Sequence, residues 1–128
     1  MDNKTKILDS ALELFHARGY DSVGVQEIAE MAGVTKPTLY YYFGNKQGLL
    51  STLLNLKYEE MKTAVFGNLD ECKDFRQRLT RVAGAYLDYA GTNRKSYLLI
   101  MAMFYSAKEN EAYQSVKPIV RDFYQRMV

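Results

Sequence analysis

The stretch VQEIAEMAGVTKPTLYYYFGNK, Val25 to Lys46, constrains this chain more than any other part of it. Ile28 and Ala32 are four residues apart on one helical face, with Ala29 beside them, and a side chain larger than Ala29 would hold a crossing helix away. Gly33 comes next, where a turn needs a positive φ. Thr35 is a natural N-cap and Pro37 falls in a first helical turn, where its missing N–H does no harm. Leu39 and Phe43 recur four residues apart. The stretch therefore predicts two short helices, Val25 to Ala32 and from Thr35 to Phe43, crossing closely through a tight turn. Gly44 ends the second, and Asn45 caps the next helix.

The arc of the second helix that faces away from Leu39 and Phe43 carries Lys36, Pro37, Thr38, Tyr40 and Tyr41, with Tyr42 at its border. Burying three successive tyrosines would oblige every hydroxyl to find a partner. Left exposed, they can donate to phosphate oxygens. Bulk charge does not make this case. The chain carries +2. Residues 1–46 hold five basic groups (Lys4, Lys6, Arg18, Lys36, Lys46) against six acidic ones (Asp2, Asp9, Glu13, Asp21, Glu27, Glu30), a balance of −1. The argument is local: Gly33 to Lys46 contains two lysines and no acid.

The flanking sequence reads as helical scaffold. A first helix, from about Asn3 or Lys4 to Ala17, carries Ile7, Leu8, Ala11, Leu12 and Phe15 as one stripe, with Asp2 or Asn3 as cap and Gly19 closing it. Residues 20–24 read as a loop. A long fourth helix reaches about Val65 on Leu49, Leu50, Leu53, Leu54, Leu56, Met61 and Val65, and Gly67 with Asn68 breaks it. A fifth runs from about Leu69 or Cys72 to Tyr89 or Ala90. Phe75, Leu79, Val82, Ala83, Tyr86 and Ala90 share one of its faces, Lys73, Arg76, Arg78 and Arg81 a solvated one, and Gly91 is its stop. A sixth starts near Asn93, is apolar all round through YLLIMAMFY, and should be central. A seventh begins after a break near Asn110. Pro118 is its start or a kink, and Val116, Ile119, Val120, Phe123, Tyr124 and Met127 form its apolar side. With no strand alternation anywhere, the fold class is all-α.

Several functions are disfavoured. The longest apolar run, Tyr97 to Tyr105, has nine residues, too few to span a bilayer. The polar start MDNKTK is not a secretory signal. One cysteine, Cys72, cannot form an internal disulfide and suits a reducing cytosol. One histidine, His16, with no cluster of ligands around it leaves neither a metal site nor a nucleophile–base pair, so neither an enzyme nor a cofactor is indicated.

IAEMAGV (28–34), TLYYYF (38–43) and Asn45-Lys46, with Phe15 and Gly19-Tyr20 upstream, resemble the DNA-binding domain of the TetR family of transcriptional regulators over about residues 4–56. The resemblance implies a helix-turn-helix domain at 1–46 and a helical regulatory domain at 47–128, incomplete at its C-terminal end. It implies a cytoplasmic homodimer on operator DNA, most often a repressor, released by a small apolar or aromatic effector. Gln26, Thr35, Lys36, Thr38, Tyr40, Tyr41, Tyr42 and Lys46 fall at its DNA-contact positions. Tyr86, Tyr89, Tyr97, Met101, Phe104, Tyr105 and Phe123 are candidate walls of an effector pocket, in a segment that also holds Met103, Tyr113 and Tyr124. The family pattern has Thr or Ser before Val25, where this chain has Gly24. That departure and the slightly acidic head favour one alternative, a helical protein-interaction module that no longer binds DNA.

Overall fold

A computed structural model describes residues 1–67, 69–106 and 110–127. Among these residues seven α-helices succeed one another: α1 (Asn3–Arg18), α2 (Val25–Ala32), α3 (Lys36–Phe43), α4 (Lys46–Phe66), α5 (Phe75–Thr92), α6 (Arg94–Phe104) and α7 (Glu111–Met127). A single 3-10 turn, Leu69–Glu71, precedes α5. No strand occurs among the described residues, and the chain is all-α.

Local chemistry explains the first four boundaries. The Asp2 carboxylate accepts the Thr5 N–H at 2.7 Å, and Asn45 Oδ1 accepts the Gly48 N–H at 2.7 Å. Gly33 closes α2 in the left-handed region at φ 72°, and Gly44 closes α3 at φ 80°. Gly19 also has a positive φ, 82°, but an extended ψ, so it redirects the chain into the next turn rather than curling under α1.

The core of the first half is continuous. Ile7, Ala11 and Phe15 of α1, Ile28 and Ala29 of α2, Leu39 and Phe43 of α3, and Leu49, Leu50, Leu53 and Leu54 of α4 are all buried. Ala29 is fully enclosed, as a close helix crossing requires. The segment 20–24, read as a plain loop, supplies Tyr20 and Val23 to this core. Arg18 binds it from outside, donating to Glu27 Oε1 at 3.0 Å and to the Ser22 carbonyl at 2.8 Å. Glu27 in turn accepts the Gly24 N–H, which supplies the helix start that Gly24 itself has no side chain to cap.

Beyond α4 the structure departs from the sequence reading in several places. Leu56 is exposed, and Tyr58 takes the inward position beside Met61. Gly67 is right-handed, so the end of α4 does not rest on glycine's special freedom; Asn68 lies outside the described residues. Helix α5 begins later than expected because Asp74 caps it, accepting the Gln77 N–H at 2.8 Å. It runs through Gly91 and stops at Asn93, which also begins α6. Its inward residues are Val82 and Tyr89, seven apart, while Phe75, Leu79, Ala83 and Leu87 are exposed. Helix α6 is not central. It packs on α1, α5 and α7, burying Ser96, Leu99, Ile100 and Met103 and leaving Leu98, and Tyr105 just past its end, toward solvent. In α7, Val116 and Ile119 are buried, but Tyr124 and Met127 are exposed, and Pro118 sits inside the helix on its exposed side. The common reason is that periodicity shows which residues share a face, not whether another element covers that face.

Two helices tie the halves together. Helix α1 packs on α6, with an ion pair from Lys95 to Glu13. Helix α7 packs along α4, with Ser115 accepting from Ser51 at 3.0 Å and Asp122 accepting from the Tyr58 hydroxyl. No helix among the described residues is long and apolar enough to cross a membrane.

Candidate nucleic-acid interface

Helix α3 is held from three sides, by α1, α2 and α4, through Leu39 and Phe43. Its remaining side is open. Tyr41 is the most prominent residue there, 83% exposed, against 39% for Tyr40 and 41% for Tyr42. The Tyr41 and Tyr42 rings meet edge to face at 5.3 Å. Lys36 shares the Tyr40 side of the helix, its ammonium 5.8 Å from that ring. Aromatic support of this kind limits the directions the flexible lysine stem samples without removing its charge.

The other candidates are more engaged. Thr35 is exposed, and its Oγ1 accepts the Thr38 N–H at 3.3 Å and lies 2.9 Å from the Thr38 hydroxyl. Both hydroxyls serve the helix start first, and Thr38 is half-buried beside it. Gln26 is exposed near the start of α2 and donates to Glu30 Oε1 at 3.1 Å. Lys46, expected as an open phosphate contact, is half-buried, with its ammonium 4.1 Å above the Tyr20 ring. Burial lowers its pKa, while the charges of Asp21 and Glu111 oppose that shift. Lys36, Tyr40, Tyr41 and Tyr42 thus form one accessible arc, and Lys46 sits at its edge under competition. Sequence reasoning missed Gly48, one turn into α4. A Cβ there would stand 2.1 Å from the Phe43 carbonyl oxygen, so glycine sets how closely α4 approaches the end of α3.

Residues 7–53, which contain this arc and its packing, match the family model described as bacterial regulatory proteins, tetR family. The chain belongs to the TetR family. Over 113 residues, 88% of its length, it is 33% identical to the HTH-type transcriptional activator FasR of Mycolicibacterium smegmatis. It spans 52% of that relative. Its fold is also that of a tetR-family transcription regulator from Shewanella sp. PV-4, with a TM-score of 0.82 at 24% identity, covering 98% of this chain and 68% of that one. A third likeness is AibR, solved with isovaleryl coenzyme A and operator DNA, at a TM-score of 0.81 and 21% identity, covering 97% and 67%.

In this TetR-family chain a second feature lies away from the arc. A cavity of about 170 Å³ opens between α4, α5, α6 and α7. Its walls are Met61, Tyr86, Tyr97, Ile100, Met101, Phe104, Tyr105, Ile119, Val120, Phe123 and Tyr124. Six of the seven pocket candidates named from the sequence line it. The exception is Tyr89, which is buried against α4 and donates to the Lys57 carbonyl at 3.2 Å. Tyr89 sits on the face of α5 turned to α4, whereas Tyr86 turns to α6 and α7. Among the described residues that line the cavity, none is charged. Its polar content is phenolic: the Tyr86 hydroxyl donates to that of Tyr97 at 3.2 Å, and burial with this contact raises the Tyr86 pKa strongly, so it stays a neutral donor. Among the described residues no group of His, Cys, Asp and Glu converges as metal ligands would.

Proposed function

We propose that this chain is the DNA-reading and effector-sensing part of a transcriptional repressor. Residues 1–46 are the reading head and residues 47–128 the regulatory part. The observation that carries this reading is the open arc of α3, Lys36 with three tyrosines, on a helix clamped from every other side. A helix so presented enters the major groove while α2 crosses the backbone. Lys36 reaches a guanine O6/N7 edge. Tyr40 and Tyr42 donate to phosphates, Tyr41 packs against sugar, and Thr35, Thr38 and Gln26 support contacts at the helix starts. With one cation on the arc, a single head binds weakly, and a homodimer on a two-fold operator supplies the affinity. A protein that works on operator DNA is cytoplasmic.

The effector is small, neutral and apolar or aromatic. An uncharged wall offers no partner for an ionised group, whose burial would be costly. At about 170 Å³ the cavity is below the roughly 300–1,000 Å³ of drug-sized sites. Occupancy shifts the population between DNA-competent and incompetent arrangements to the extent that the effector prefers one of them.

Fluorescence anisotropy against duplexes selected from a random pool tests the head. Salt-dependent, sequence-dependent binding is expected, and its absence would favour a protein-interaction module instead. Lys36→Ala should weaken the selected duplex by roughly 1–3 kcal/mol and relax preference at one base position. Equal weakening across all sequences would make Lys36 a phosphate contact. The activator named among the relatives is the specific alternative to repression. A reporter fused to the selected operator should rise when the gene is deleted; a fall would mark an activator.

A further inference from the structure

Tyr20 is buried at the hinge between α1 and α2, its ring 5.2 Å from Phe15. Its hydroxyl leaves the head and donates to Glu111 Oε2 at 2.9 Å, in the first turn of α7. Beside it, Asn110 caps that turn, accepting the Ala112 N–H at 2.9 Å, and its amide donates to Asp21 Oδ2 at 3.3 Å. Lys46 lies on the Tyr20 ring at 4.1 Å, close enough to both Asp21 and Glu111 for their charges to act on it. Thus the start of α7 meets the head at Lys46, a candidate phosphate contact that is not on α3. Farther along, Ile119, Val120 and Phe123 of the same helix wall the cavity.

We propose that Glu111 is a phosphate surrogate built into the fold: it occupies the head's Tyr20 hydroxyl and holds Lys46 back from DNA, so that α7 carries the state of the cavity wall to the edge of the reading face. The inference rests on the DNA-binding reading of the head. Carboxylates and phosphate oxygens both attract an ammonium, so the charges of Asp21 and Glu111, which act on Lys46 where it rests on the Tyr20 ring, compete with DNA for it. The tyrosine ring fixes where the ammonium waits, and the hydrogen bond fixes where the carboxylate stands. Because α7 is one continuous helix from Glu111 past Phe123, a shift at the cavity that moves α7 along its axis moves Glu111 with it.

Glu111→Gln tests this, because the amide keeps an acceptor for Tyr20 and removes only the charge. Anisotropy titrations on the selected duplex should show binding roughly two- to fivefold tighter per head, the range of one partly exposed charge contact. The slope of log affinity against log salt should steepen by up to about 0.9, one further phosphate neutralised. Both changes should vanish when Lys46→Met is added. Unchanged or weaker binding by Glu111→Gln overturns the proposal. So does an equal gain in the Lys46→Met background, which would mean that any acid removed near the duplex helps. A readout without DNA separates this from failure of the reading itself. The Lys46 side-chain NMR signals of wild type should carry the ring-current shift of Tyr20 and lose part of it in Glu111→Gln. That shift with no sequence-dependent DNA binding by wild type would sink the reading of the head; binding that ignores Glu111 sinks the surrogate alone.

Discussion

Phe15→Ala is expected to lower the unfolding free energy by about 3–5 kcal/mol, the usual cost of emptying a buried aromatic site. That is a large share of the roughly 5–15 kcal/mol that holds an ordinary domain together. Phe15 is 2% exposed and sits where α1 meets the α1–α2 turn. Its ring is the floor on which Tyr20 rests. The surrounding core offers little room to collapse, since Ile7, Ile28, Leu39, Leu49 and Leu50 are already fully enclosed. Urea unfolding monitored by circular dichroism checks this: the midpoint should fall while the slope stays constant. A loss below about 1 kcal/mol would show that the site refills and that Phe15 is not central to the head.

Gly48→Ala should also be severely damaging, with the opposite sign to the usual rule. In an open helix interior, glycine to alanine stabilises by roughly 0.5–1 kcal/mol. At Gly48 the added methyl would stand 2.1 Å from the Phe43 carbonyl oxygen and 3.3 Å from Asn45 Oδ1, the cap of the same helix. Neither neighbour can yield cheaply. The carbonyl is backbone at the last residue of α3, and the amide oxygen holds the Gly48 N–H. Overpacking of this kind costs about 1–3 kcal/mol, and here relief requires α3 to move away from α4. Operator affinity should therefore fall further than in Lys36→Ala, because the whole arc is displaced while Lys36→Ala trims a single side chain. Gly84→Ala and Gly91→Ala are the controls: both lie in α5 with open space around the added methyl, and both should stabilise. Equal stability of Gly48→Ala and wild type in urea would refute the clash.

The head was legible because its boundaries are chemical. Thr35 and Asn45 accept N–H groups at a helix start, Pro37 fixes a first-turn φ, Gly33 and Gly44 take a positive φ that other residues avoid, and α2 spans the very residues its pattern indicated. Cross-chain geometry was not legible. Nothing local tells that Tyr20, in an aperiodic turn, reaches a residue ninety-one positions later, or that Lys46 would rest on it. The same holds for Gly48, whose role depends on a carbonyl from the preceding helix. In the second half, apolar periodicity located α5, α6 and α7 but misjudged what covers them. Phe75 and Leu79 stay exposed although they repeat as a buried stripe would, and Tyr89 faces α4 rather than the cavity. Pocket residues were found where aromatic side chains converge from three helices, which composition hints at and only packing decides.

Helix α4 is a single rod of 21 residues with the head at one end and the cavity wall, through Met61, near the other. At 1.5 Å per residue it is about 31 Å long. A tilt of only about 5° about its far end would swing Lys46 through roughly 3 Å, by the geometry of a rod of that length. In the homodimer proposed above, two heads reading half-sites about 34 Å apart would have to match the DNA helical repeat to within a contact distance. On the function proposed above, a small adjustment around the cavity would be leveraged into loss of register, and no part of the head would need to unfold for the DNA to be let go.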